Sequence, residues 1–146
     1  MTKNRVIGSG EGMPWSVPEE YQQFLNCIDG QTVIMGRRSF EIFGPDLTST
    51  HNIVISRSAI DLPGVIACTS IEAALIKAKE LGKTIFSAGG ASIYTQTLPL
   101  ASDMYLSFIR SEFSGDAYFP EFDENQWRVI ERRQPLEFEF VHYRRK

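Results

Sequence analysis

Cysteine and histidine are scarce in this chain of 146 residues, which has two of each. Cys27 and Cys68 lie far apart and form no C-x-x-C pair, so neither a disulfide framework nor a zinc site is expected, and both read as ordinary buried thiols. His51 and His142 have no metal-ligand spacing to each other or to an acid pair, and no G-x-S-x-G or Cys/His arrangement occurs. Metal and covalent catalysis are therefore unsupported, and no metal is expected. No apolar run approaches 18 residues, and no charged leader precedes an apolar stretch with a small-residue cleavage site, so the expectation is a cytoplasmic protein without a membrane partner. Positive charge is not in excess either. Fifteen Lys plus Arg against eighteen Asp plus Glu give a net charge of -3, and the only basic block is the short "RRK" end, so nucleic acid is not the expected partner. Repeats, low-complexity tracts and Ser/Gly linkers are absent too, which points to one continuous domain over residues 1–146.

What is present is ordinary globular composition, 42% hydrophobic and 23% charged. A chain of this length buries roughly 70% of its unfolded surface, enough for a core without covalent staples. Short β-branched runs flanked by turn residues, "TVIMG" (32–36), "NIVIS" (52–56), "VIAC" (65–68) and "TIFSAG" (84–89), predict buried strands. Between them, helical patterns run over 18–28, 38–43, 71–81 and 92–98, with Ser70 as an N-cap and Gly82 as a stop for the third. Strands alternating with helices predict an α/β fold whose mostly parallel central sheet is flanked by helices. After residue 100 the pattern becomes "MYLSFI" (104–109), "WRVIER" (127–132) and "FEFVHYRR" (138–145), the last two predicting an antiparallel hairpin turning near Gln134 and Pro135. At the front, "RVI" before Gly8 is too short for a central strand, so the sheet begins in mid-element.

Three strand ends carry chemistry. "GRRSF" (36–40) follows a strand and opens a helix, which brings backbone N–H groups and two arginines together as in a phosphate site. "SAGGASIY" (87–94) repeats the arrangement with paired glycines, and Arg57 adds a cation after a third strand. Each alone is also what a solvated helix start or surface turn looks like. Together they predict a dinucleotide across the C-terminal edge of the sheet. "GSGEGM" (8–13) fails as a dinucleotide fingerprint because its third glycine comes early and Pro14 prevents a helix, leaving a flexible loop suited to a lid. In "PEEYQQF", Pro18 and two acids are what the dipole favours at any helix start. Helical phase nevertheless separates the acids: Glu20 shares a face with Phe24, Cys27 and Ile28, while Glu19 points about 100° away. A carboxylate on that apolar side loses hydration and gains basicity, a candidate for proton transfer or for holding an amidine-like group.

The ordered series "NRVIG", "GMPW", "PEE", "TVIMGRRSFE", "NIVISR", "FSAGGASIY", "YLSFI" and "GDAYFPEF" resembles the dihydrofolate reductase family from Asn4 to the last strand. The resemblance implies a central eight-stranded sheet, NADPH as hydride donor, a reduced pterin as small-molecule substrate, and a monomeric enzyme of tetrahydrofolate biosynthesis and one-carbon metabolism. It places Glu20 as the single acid that holds the pterin N–H groups and assists protonation of the imine nitrogen, with Ser107 bonded to it. It places Phe24 on the pterin and its linked ring, with Leu47 and Phe43 lining the opposite wall. Met13 and Trp15 correspond to the loop that closes over the nicotinamide, Trp15 being counted with the catalytic residues, and Asp116 to an acid bonded to that loop. Gly36, Arg37, Arg38, Ser39, Ser56, Arg57, Gly89, Gly90, Ala91, Ser92 and Ile93 correspond to cofactor-binding positions, and the arginines favour NADPH over NADH.

Three departures accompany the resemblance. Thr50 stands where the family has an arginine for the glutamate carboxylate of folate, a charge-assisted contact worth roughly 1.5–3 kcal/mol. Ala88 replaces a larger apolar residue before the glycine pair. The first strand is missing before Thr2, and the expectation is a truncated start, since unpaired central strands would each leave buried polar groups costing about 1–3 kcal/mol. These departures leave two alternatives to dihydrofolate reduction: a reductase of a non-glutamylated pterin, and a catalytically weak NADP-binding homologue.

Overall fold

The computed structural model describes residues 1–8, 17–58, 64–110 and 115–146. In chain order the elements are β1 (Val6–Gly8), α1 (Pro18–Ile28), β2 (Thr32–Gly36), α2 (Arg37–Phe43), β3 (His51–Ile55), β4 (Val65–Cys68), α3 (Ile71–Glu80), β5 (Ile85–Ser87), α4 (Ala91–Thr97), β6 (Asp103–Ile109), β7 (Ala117–Tyr118), β8 (Trp127–Arg133) and β9 (Phe138–Arg145). They form two compact units, one of residues 21–97 and one of residues 1–20 with 98–146.

The unit of residues 21–97 is built on a parallel sheet in the order β4-β3-β2-β5. The apolar run of β2 follows from burial on both faces. Ile34 packs with Ile53 and with Ile71, Ala74, Ala78 and Ile93 of α3 and α4. Its neighbours Val33 and Met35 turn to the opposite face and join Ile28 of α1 with Phe24, Phe40 and Phe43. Burying each such side chain contributes roughly 1.5–3 kcal/mol, and alternation along one strand serves two helical layers at once. α3 starts where expected: the Ser70 hydroxyl accepts from Ala73 N at 3.1 Å, and Gly82 beyond its end takes φ +72°.

In the other unit, β6, β9 and β8 form an antiparallel sheet in that order, with the expected turn at 134–137 joining β8 to β9. The short β1 pairs with β7 through an irregular register. Neither strand is predicted from sequence, since two or three residues are too few for a period-two pattern. Thr2 makes a single parallel bridge to Ile109, and Ile109 N donates to Met1 O at 2.7 Å. The described strands fall into three sheets.

Candidate active site

Glu20 sits in the first turn of α1, where helical phase predicts a half-buried acid: Pro18 and Glu19 are exposed and Glu20 is half-buried. Just ahead of it, buried Val17 packs with Ile109, Phe138 and Phe140, which fixes the helix start against β6 and β9. The Ser107 hydroxyl, buried on β6, hydrogen-bonds the Glu20 carboxyl. Burial raises the Glu20 pKa above the usual carboxylate value, while the nearby Met1 amino group and the Ser107 bond pull it back. The amino group is itself held down at about 6 by burial and donates to Ser107 O at 2.7 Å. A carboxyl so placed holds a proton at higher pH than a solvated one, which is what a proton donor near neutrality requires.

At the C-terminal edge of the parallel sheet the three predicted strand ends come to one level. Gly36 pairs with Ile55, Ala88 N donates to Ile34 O at 2.9 Å, and Gly36 N donates to Gly89 O at 2.8 Å. Gly36 is extended (φ -73°, ψ 162°) and caps α2, so that helix begins at Arg37, one residue earlier than predicted. Arg37, Arg38 and Arg57 are exposed, and Arg37 makes only a surface ion pair with Glu41 at 3.2 Å, an interaction of little energetic weight. Ser56 Oγ accepts from Ser58 N at 3.2 Å, and Ser92 Oγ from Gln96 Nε2 at 3.1 Å. Buried Ile93 anchors α4, whose first turn includes Tyr94 N donating to Gly90 O at 3.0 Å.

The peptide Gly89–Gly90 is cis. Gly89 has φ +97°, and a Cβ there would lie 3.3 Å from the Tyr94 ring; one on Gly90 would meet Ser39 Oγ at 3.5 Å. Bare backbone beside α2 and α4, with three arginines at the same edge, suits close approach of a pyrophosphate and a further phosphate, so the residues present fit NADPH. Replacing Gly89 by Ala should lower stability by about 1–3 kcal/mol through the positive φ alone, measurable by denaturant melts, and should weaken NADPH binding in parallel.

Phe24, Phe43 and Leu47 line one apolar wall over Ile28, Val33 and Met35, with Ala88 beside them. Two residues on this wall are not anticipated from sequence. The Tyr21 hydroxyl donates to Asp46 Oδ2 at 2.8 Å, and its ring lies 6.2 Å from Phe24 and 6.0 Å from Phe43, centroid to centroid. The only hint was the position of Tyr21 beside Glu20, because a pairing across 25 residues leaves no periodic trace. Thr50 is exposed, and its backbone N donates to Gln31 O at 2.9 Å.

Met13 and Trp15, with the rest of the glycine-rich loop from Ser9, lie outside the described residues. Asp116 is exposed, and its N donates to Gly8 O at 3.1 Å. Cys27 and Cys68 form no disulfide with each other and are half-buried rather than fully buried. His142 lies buried with Nε2 2.6 Å from Asp103 Oδ2, and no group of three metal-binding side chains occurs among the described residues.

Compared with known proteins, residues 1–145 match the family model described as Dihydrofolate reductase. The chain is 33% identical to Dihydrofolate reductase of Bacillus subtilis (strain 168), covering 100% of this chain and 91% of that one. It is 37% identical to Dihydrofolate reductase of Neisseria gonorrhoeae, covering 97% and 91%, and 36% identical to Dihydrofolate reductase HdrB of Haloferax volcanii, covering 98% and 79%. Its fold is similar to that of dihydrofolate reductase from Enterococcus faecalis complexed with NADP(H) and RAB-propyl, with a TM-score of 0.90 at 24% identity over 99% of this chain and 92% of that one.

Proposed function

The chain belongs to the dihydrofolate reductase family of NADPH-dependent oxidoreductases, and from that membership we propose that it reduces 7,8-dihydrofolate to 5,6,7,8-tetrahydrofolate with Glu20 as the acid. The observation that supports this reading most is the half-buried Glu20 carboxyl, raised in pKa and bonded to Ser107. NADPH, when bound, supplies the hydride. Glu20 accepts hydrogen bonds from the amino and ring N–H groups of the pterin and assists delivery of one proton to its imine nitrogen, while Ser107 orients the carboxyl. Phe24, Phe43 and Leu47 cover the apolar faces of the substrate and exclude water. Gly36, Arg37, Arg38, Ser39, Ser56 and Arg57, with Gly89 to Ile93, hold the cofactor, and Met13 and Trp15 cover it.

The partners in this reading are small molecules only, handled by a cytoplasmic monomer. Separately, no described helix is long and apolar enough to cross a membrane. The test follows NADPH absorbance in the presence of 7,8-dihydrofolate. Turnover that depends on both compounds is expected; NADPH binding without oxidation would instead make the chain a catalytically weak homologue.

A further inference from the structure

Charge is distributed unevenly around the apolar wall of the unit of residues 21–97. From Tyr21 to Gly36 and again from Ser39 to Ser56 there is no lysine or arginine, while Asp29, Glu41 and Asp46 are all acidic. The cations nearest in sequence, Arg37 and Arg38, stand at the end of β2, and the one other titratable base in these stretches is His51 at the start of β3. Within the wall, the Asp46 carboxylate is exposed and pinned by the Tyr21 hydroxyl at 2.8 Å, and the Tyr21 ring lies against Phe24 and Phe43. Burial, then the Asp46 bond and charge, push that hydroxyl up to about 12, so it stays a donor to Asp46 across the working pH range.

Four donors that follow Leu47 are committed to the protein itself. Thr48 Oγ1 donates to Leu25 O at 2.5 Å, Ser49 Oγ to Asn52 Oδ1, and the backbone N–H groups of Thr50 and His51 both to Gln31 O, at 2.9 and 3.2 Å. A carboxylate carried along this wall would meet a fixed negative charge and none of these donors. Desolvating an anion without a partner is unfavourable, and repulsion from Asp46 adds to that cost.

We propose that this wall selects against an anionic substituent, with Asp46 as the specificity-determining residue, so that dihydropteridines with a short or uncharged tail are preferred over polyglutamylated dihydrofolate. The inference rests on the reductase reading and names the substrate class of the same site. It is tested by kcat/KM for NADPH oxidation with 7,8-dihydrobiopterin, 7,8-dihydrofolate and dihydrofolate triglutamate, at low salt and at about 0.5 M salt.

In the native protein at low salt, kcat/KM should fall about threefold from the monoglutamate to the triglutamate, and 7,8-dihydrobiopterin should be used at least as well as either. Asp46→Asn keeps an acceptor for Tyr21 while removing the charge. It should raise the ratio of triglutamate to biopterin about threefold, and Asp46→Lys, a change of two charges, about tenfold, both through KM and both fading at high salt. A triglutamate better than the monoglutamate, or a ratio that neither variant moves, overturns the proposal while leaving the reductase reading intact. A native protein that oxidises NADPH with none of the three overturns that reading and the proposal with it.

Discussion

Replacing Glu20 by Gln should lower kcat about 100- to 10,000-fold near neutral pH while leaving NADPH affinity unchanged, and Glu19→Gln should change neither. The two residues are neighbours at the same helix start with the same formal charge, so any shared effect of the helix dipole is removed equally by both substitutions. What differs is environment: Glu19 is exposed, whereas Glu20 is half-buried, bonded to Ser107 and raised in pKa. Glutamine preserves shape and can still accept from Ser107, which isolates loss of the ionisable group. In the native enzyme, turnover should fall as pH rises through the raised Glu20 pKa, and this limb should vanish in Glu20→Gln. Stability should follow pH in the same direction. A carboxyl whose folded-state pKa lies above its unfolded value of about 4.5 stabilises fully below that value, and the contribution is lost as pH rises through the folded pKa. Glu20→Gln should therefore have a higher Tm than the native protein above that range, an advantage that disappears under acid conditions, with Glu19→Gln neutral throughout. Stopped-flow NADPH oxidation and thermal melts across pH check both parts. Equal losses of turnover from the two variants would remove the argument from helical phase.

The distinction between those glutamates was legible because α1 is regular and one of its faces is apolar. The same holds for β2, whose run "TVIMG" is buried on both faces, and for α3, whose cap and stop residues lie where they act. β5 is shorter than its pattern, spanning Ile85–Ser87, because the chain turns out at Gly89 with φ +97° while Ala88 N and Gly89 O still bond to β2. Two glycines announced that departure without fixing its position. β1 and β7 were not legible: each is too short for periodicity, and their pairing depends on Arg5, whose guanidinium donates to Phe119 O at 2.6 Å while Phe119 N donates to Arg5 O at 2.8 Å. In the site, Glu20 and the arginines could be argued from local pattern, but Ser107 came only through the family resemblance, since a serine within a strand carries no signal of its partner. Tyr21 and Asp46 were missed for a similar reason. Their bond joins a helix to a turn 25 residues later, and only the folded chain brings them together.

Substituting Arg38 and Arg57 together by Ala should raise KM for NADPH about 30- to 100-fold, from charge-assisted contacts worth roughly 1.5–3 kcal/mol each in full and less at an exposed edge, while KM for NADH changes little. Gly36 and Ile55 are register partners in adjacent parallel strands; Arg38 follows the first by two residues, in the first turn of α2, Arg57 follows the second by two residues, and both are exposed. Arg37 is the weaker choice because its Nε already faces Glu41 at 3.2 Å. A phosphate on the adenosine ribose is the one group that distinguishes NADPH from NADH, so a loss confined to NADPH assigns the pair to that phosphate. Arg57→Lys should recover part of the affinity, since it keeps the charge but not the planar fork that grips a phosphate through two bonds. Raising ionic strength should narrow the gap between native protein and double variant, because both guanidinium groups are exposed. If NADPH and NADH weaken by the same factor, the arginines act on the shared pyrophosphate or on the fold of the sheet edge, and the preference for NADPH must then arise from other residues.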